Sequence, residues 1–394
     1  MSYFAGVALF ALGIAITIGL HEWGHYSVAR ACGMRVRRFF IGFGPTLFQF
    51  TRGHTTYGFK AVPLGGFCDI AGMTAVDEIT PEEKPYAMVD KPWWARVATL
   101  LGGVAMNIVV GMLVLYVVAV SAGLPNPKAD FTATVAETTC VTPGCTDEGP
   151  AAAAGIKAGD RILAVDGVPA QSFMDVRKVI IEKPGQDVVL DVERAGSVTP
   201  VTVAVPSVER ETQDGQKVTV GAIGIVSAPP KDAIKQYGLI DALPATASFT
   251  GNMLGATVQG LASLPAQVPG VLASIFGAER ADTSPMSVVG ASRVGGEMVE
   301  RAQWATFLMM LASLNFFLAL FNLIPLPPLD GGHIAVVLWE KLRDWVRGLR
   351  GLQPAGPADY TKLMPLTVVM TGTLLVLGVI VILADIVNPV RLFG

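Results

Sequence analysis

Four long apolar runs divide the chain, and the polar stretches between them differ sharply in character. The first extends from Tyr3 to about Ala31 and is interrupted only by His21-Glu22-Trp23-Gly24-His25. The others run from about Val97 to Leu124, from about Trp304 to Leu326 and from about Leu363 to Val387. Each is close to or above the ~20 apolar residues that a membrane-spanning helix needs. The pattern therefore predicts a polytopic α-helical membrane protein with about four transmembrane helices. The first run has no basic n-region and no small-residue cleavage site, and it carries polar groups, so it reads as a retained helix and not as a signal peptide.

Between the first two runs, residues 39–72 interleave Gly with aromatic and β-branched residues, as in Phe39-Phe40-Ile41-Gly42-Phe43 and Tyr57-Gly58-Phe59-Lys60-Ala61-Val62. This predicts short strands with turns. The segment is too apolar for a solvated loop, and strands at membrane depth are tolerated only where protein or water covers their backbone. Residues 75–91 are acidic and contain Pro, which suits a surface. From Phe131 to about Val226 the composition turns soluble, with Val-rich runs alternating with turn signals and one helical stretch after Ser172. That is an inserted β-rich domain. Residues 231–300 are rich in small residues, Gly and Pro, and weakly amphipathic around Leu239–Val268, which predicts helices on the membrane surface. The chain thus divides into a membrane part (1–127), an inserted domain (128–227), surface helices (228–300) and a second membrane part (301–394).

Composition agrees, with 52% hydrophobic and 15% charged residues, against roughly 25% charged in a soluble domain. A net charge of -3 gives no ground for a nucleic-acid partner. The placement of cations is more informative. Arg35, Arg37, Arg38, Arg52, Lys60, Lys84 and Lys91 lie between the first two runs, and Lys341, Arg343, Arg347, Arg350 and Lys362 between the last two. Basic loops stay cytoplasmic, so both termini and the inserted domain face outward. Cys140 and Cys145 then lie on the oxidising side, where one local bridge is expected, while Cys32 and Cys68 stay reduced.

The strongest chemical signal is His21-Glu22-Trp23-Gly24-His25. Positions four apart share a helix face, so both imidazoles can reach one Zn²⁺, and Glu22 is placed to act as general base. The chain has only four His, and placing two of them with a Glu in an apolar run costs several kcal/mol. A structural accident is a poor explanation at that cost. A catalytic zinc needs a third protein ligand. Asp330 is the best candidate, at the end of the third run after the helix-breaking Pro325, Pro327 and Pro328. Its competing reading is a helix cap, and His333 is the rival ligand. A carboxylate offsets part of the metal's charge, which favours Asp330.

An HExxH in the first apolar helix together with Asn322-Leu323-Ile324-Pro325-Leu326-Pro327-Pro328-Leu329-Asp330-Gly331 resembles the bacterial site-2 protease family. The resemblance implies Zn²⁺ held by His21, His25 and Asp330, Glu22 as base, and Asn322 in substrate binding. Gly102-Gly103-Val104-Ala105-Met106-Asn107 is similar to a further family element, with Val104 where Pro is usual. Ser284-Pro285-Met286 departs from another by Ser284 in place of Gly. The run from Gly149 to Gly167 resembles PDZ domains of bacterial proteases. The family further implies a bacterial inner-membrane enzyme that cuts transmembrane segments of single-pass proteins, anti-sigma factors among them. The competing classes are a catalytically idle PDZ scaffold and a zinc transporter. An intact Glu22 speaks against the first, and the lack of a His-rich loop against the second. Nothing in the sequence indicates an oligomeric state.

Overall fold

The computed structural model describes residues 2–74, 76–141, 149–211, 217–278, 280 and 284–390. The chain forms two compact units, one of Met1–Ala122 with Tyr237–Gly394 and the other of Gly123–Gln236. Helix α1 (Ser2–Ala31) opens the first unit. At 1.5 Å per residue it is about 45 Å long, more than the ~30 Å of a bilayer's hydrocarbon. Strands β1 (Val36–Arg52) and β2 (Thr55–Ile70) follow as one antiparallel hairpin. The hairpin bends back on itself: residues 38–41 pair both with residues 66–69 and with residues 56–59, and residues 48–52 pair with residues 55–59. Gly42, Gly44 and Gly65 take positive φ around these bends, so the long runs act as the short strands with turns that the sequence predicts. The hairpin's root is buried at Val36, Phe40 and Ile70, while Phe43, Leu47, Phe48, Phe50 and Phe59 are exposed. Helix α2 (Trp93–Ser121) starts directly after Pro92. It crosses α1 so closely that a Cβ on Gly24 would overlap the carbonyl of Gly102.

The second unit begins and ends on a short pair, β3 (Leu124–Pro125) with β12 (Ile234–Lys235). Between them, β4 (Ala133–Thr138), α3 (Gly149–Ala153), β5 (Arg161–Val165), β6 (Val168–Pro169), α4 (Phe173–Ile181), β7 (Asp187–Arg194), β8 (Ser197–Ala204), β9 (Ser207–Glu211), β10 (Lys217–Gly221) and β11 (Ile225–Ser227) follow in order. Six strands form one sheet ordered β11-β4-β5-β7-β8, with β6 beside β5, and β9 pairs β10 separately. Val188, Leu190 and Val192 alternate into the core, as a period of two requires. They pack with Ile162, Val176 and Val203. Ser172 and Asp175 cap α4 reciprocally. Cys140 is disulfide-bonded; Cys145, its expected partner, lies outside the described residues. Cys32 and Cys68 are free thiols.

The chain then returns to the first unit. Helix α5 (Ala242–Ile275) contains Pro265 and Pro269. Helix α6 (Val288–Glu300) packs along α1, with Val294 and Met298 buried against Phe10 and Ile14. Helices α7 (Trp304–Asn322), α8 (Asp330–Leu349) and α9 (Met364–Val387) complete it. Among the described residues, α1, α2, α7 and α9 are long and apolar enough to cross a membrane. These are the four apolar runs of the sequence.

Candidate metal centre

His21 and His25 sit one turn apart on α1, and their Nε2 atoms lie 3.2 Å from each other. Oδ2 of Asp330 is 3.3 Å from both. The three atoms form a nearly equilateral triangle. For zinc bound at 2.0–2.1 Å in a tetrahedron, ligand atoms are about 3.3 Å apart, so the donor set has the edge length a zinc ion requires. The donor chemistry fits as well. His25 Nδ1 donates to the carbonyl of Thr99 at 2.8 Å, which fixes the tautomer and leaves the Nε2 lone pair available. The Oδ2 atom of Asp330 is buried without a hydrogen-bond donor. An anionic oxygen shielded from water in that way calls for a cation.

The surroundings keep this triangle open. A Cβ on Gly103 would stand 2.8 Å from His21 Nε2 and nearer still to His25 Nε2. The α2 backbone therefore approaches the imidazoles without filling the space beside them. Glu22 follows His21 on α1 and is half-buried. Its Cγ lies 3.0 Å from where a Cβ of Gly66 would stand, so β2 leaves the carboxylate room by carrying glycine there. Asp330 is the first residue of α8. The turn before it folds back so tightly that a side chain on Gly331 would meet the carbonyls of Leu323 and Ile324. This backbone contact accounts for glycine directly after Asp330.

Of the predicted residues, His21, His25 and Asp330 come together as the metal-type cluster among the described residues, with Glu22 beside them. His333 lies outside that cluster, its ring stacked on Tyr360 with centroids 5.9 Å apart. Asn322 is half-buried at the last position of α7 and makes no hydrogen bond to the cluster. Asn107 is fully buried in α2 with both amide atoms unpartnered. Sequence reasoning missed the Thr99 carbonyl and the vacancy at Gly103. It also missed the buried Arg96–Glu340 pair at 2.6 Å and the Asn315 amide that donates to Thr17 Oγ1 at 3.1 Å, tying α7 to α1.

Two histidines with a glutamate between them on an apolar helix, met by an aspartate from a later one, form the kind of donor set that a membrane metalloprotease uses. Residues 9–351 match peptidase family M50, and the chain belongs to that family. Over 100% of its own length and 100% of the relative's, it is 46% identical to the zinc metalloprotease Rip1 of Mycolicibacterium smegmatis. The zinc metalloprotease Rip1 of Mycobacterium tuberculosis is 43% identical over the same full coverage of both chains. The protein is a zinc metalloprotease of the site-2 protease type, a membrane enzyme that acts on membrane-protein substrates.

Proposed function

We propose that the chain cuts within the transmembrane segments of single-pass membrane proteins, with His21, His25 and Asp330 as zinc ligands and Glu22 as general base. The observation that carries this reading is the triangle of Nε2, Nε2 and Oδ2 atoms at 3.2–3.3 Å. Zinc bound there would polarise the scissile carbonyl and acidify water. Thr99 holds His25 in the ligating tautomer, and Gly103 leaves both imidazoles uncrowded. Glu22 takes a proton on its carboxylate from the attacking water and delivers it to the leaving amine. Asn322, at the end of α7 and eight residues before Asp330, offers its amide to the substrate backbone, as the family resemblance implies.

A peptide bond inside a helix is shielded by its own hydrogen bonds, so the substrate must be unwound before it is cut. The β1–β2 hairpin supplies strand edges close to Glu22 through Gly66, which suits β-addition of an extended segment. The helices α1, α2, α7 and α9 cross a bacterial inner membrane, with the basic loops cytoplasmic and both termini outside. On this topology the centre lies near the cytoplasmic side. The β-rich unit is an extracytoplasmic PDZ-like domain; its helix-and-turn run from Gly149 to Gly167 supports that assignment. The domain controls access or recruitment and supplies no catalytic group. Anti-sigma factors shortened by an earlier cut outside are the substrate class that fits. A silent scaffold would have no use for Glu22.

The test reconstitutes the full chain with a single-pass substrate and compares it with Glu22→Gln. Cleavage should disappear while about one zinc per chain stays bound, since the base is not a ligand. Loss of metal, or persistent cleavage, rejects the assignment.

A further inference from the structure

We propose that α8 is an in-plane anchor that docks on the anionic lipid surface of the cytoplasmic leaflet. The inference rests on the membrane reading above and concerns a face of the molecule that the metal centre does not use. Helix α8 has two opposed sides. One is buried at Gly332, Val337 and Glu340. The other carries Leu338, Leu342, Trp345 and Leu349, which are 46%, 58%, 60% and 70% exposed. Their spacing of four, three and four places them on a single helical stripe. No described element covers that stripe.

The charges around the stripe identify its occupant. Lys341 and Arg350 are exposed on its two flanks and have no ion-pair partner among the described residues. Trp339 lies at one edge, with the Arg343 guanidinium 5.0 Å above its ring. The two acids of the helix beyond its first turn do not offset this. Glu340 turns inward to Arg96, and Asp344 pairs with Arg343. The outward side is thus apolar along its centre and cationic along both margins, with two tryptophans. That combination matches a headgroup layer: aliphatic side chains enter the acyl boundary, indoles sit at the headgroups and the cations meet lipid phosphates.

Connectivity puts the helix where it can do this. α8 lies between α7 and α9, both long and apolar enough to span, in a segment rich in Lys and Arg. Its 20 residues extend about 30 Å, long enough to lie along the surface. Because Asp330 is its first residue, the depth at which α8 docks also fixes the depth of that carboxylate relative to α1.

The experiment uses the full chain with Cys32→Ser and Cys68→Ser, carrying a nitroxide at Leu342→Cys or, as a control, at Leu375→Cys in α9. Vesicles are made of phosphatidylcholine with or without phosphatidylglycerol. Collisions with oxygen and with a chelated nickel complex report depth. The expected result is a Leu342 label at the acyl boundary, rich in oxygen contact and poor in nickel contact, and an α9 label deep in hydrocarbon. In phosphatidylglycerol vesicles, Lys341→Gln and Arg350→Gln should each lower the docked-to-undocked ratio about fivefold, with no change in neutral vesicles. A nickel-accessible Leu342 label beside a protected α9 label overturns the proposal and leaves the membrane reading intact. Exposure of both labels overturns the two together. Spin–spin broadening between Leu342 labels would mean that a second copy of the chain covers the stripe, and it would also overturn the proposal.

Discussion

Arg96, in the first turn of α2, and Glu340, in α8, meet at 2.6 Å with side chains only 7% and 8% exposed. Three residues after Arg96, the Thr99 carbonyl orients His25; ten residues before Glu340, the same helix begins with Asp330. The pair joins the helix that steers one imidazole to the helix that carries the carboxylate. Removing one member of a buried pair leaves an uncompensated charge and costs about 3–5 kcal/mol. Arg96→Met should therefore unfold much more easily and bind zinc more weakly. Arg96→Met combined with Glu340→Met should recover most of the stability. Denaturation of both variants in detergent checks this, and equal stability of the two would contradict it.

Asp330→Ala should lose zinc along with activity, whereas His333→Ala should keep its metal. Only the former belongs to the triangle; the latter stacks on Tyr360. Metal analysis of the two purified variants decides between them, and the reverse pattern would make His333 the ligand.

Gly103→Ala should weaken zinc binding while leaving the helices in place. The added methyl would stand 2.8 Å from His21 Nε2, which pushes the imidazoles from their positions. Disturbing the groups that support a metal's ligands typically costs 10–100-fold in affinity. Competition with a chelator measures the loss, and circular dichroism verifies helix content.

Acid should loosen the segment that follows the hairpin. Arg37 donates from Nε and Nη2 to both Glu83 oxygens at 2.9 Å and from Nη1 to Asp77 at 3.0 Å. The guanidinium holds the Glu83 carboxyl down to about 2, below its ordinary 4.5. A carboxylate with a depressed value stabilises fully above its ordinary range, and that stabilisation is lost as pH falls through the native value. The segment around Asp77–Glu83 should thus gain hydrogen exchange or protease sensitivity between about pH 4.5 and 2. Glu83→Gln should show the same opening at neutral pH. Unchanged protection in that variant would rule the clamp out.

Cys140 should react with a membrane-impermeant maleimide from the outside, and only after reduction, since it is disulfide-bonded and bridges persist in oxidising compartments. Labelling of Cys140 from the cytosol would invert the topology.

The four helices long and apolar enough to span were legible because lipid as solvent demands unbroken apolar runs, and such a demand is visible in one dimension. His21 and His25 were legible for a similar reason, since a spacing of four fixes a shared face whatever surrounds it. Asp330 needed the companion pattern around its prolines. Gly103 and Gly66 were not readable, because what they contribute is the absence of a side chain at a contact that only the packed helices and hairpin create. Thr99 acts through its backbone carbonyl, a group every residue has. Arg96 and Glu340 are 244 positions apart, so no local pattern could pair them. Helix α6 lies in the stretch read as membrane-surface helices, and its Val294 is fully buried beside Phe10, a contact with α1 that no local pattern shows.

One helix near the start of the chain carries both imidazoles and Glu22, while the Asp330 carboxylate comes from beyond α7. A ribosome that has made α1, α2 and the β-rich unit has therefore produced a chain without the third member of the proposed ligand triangle. On the proposed ligand set, proteolytic competence arrives only when translation has passed Asp330 and α8 has folded back toward α1. Biosynthesis itself thus delays the enzyme's first cut until nearly all of its scaffold exists.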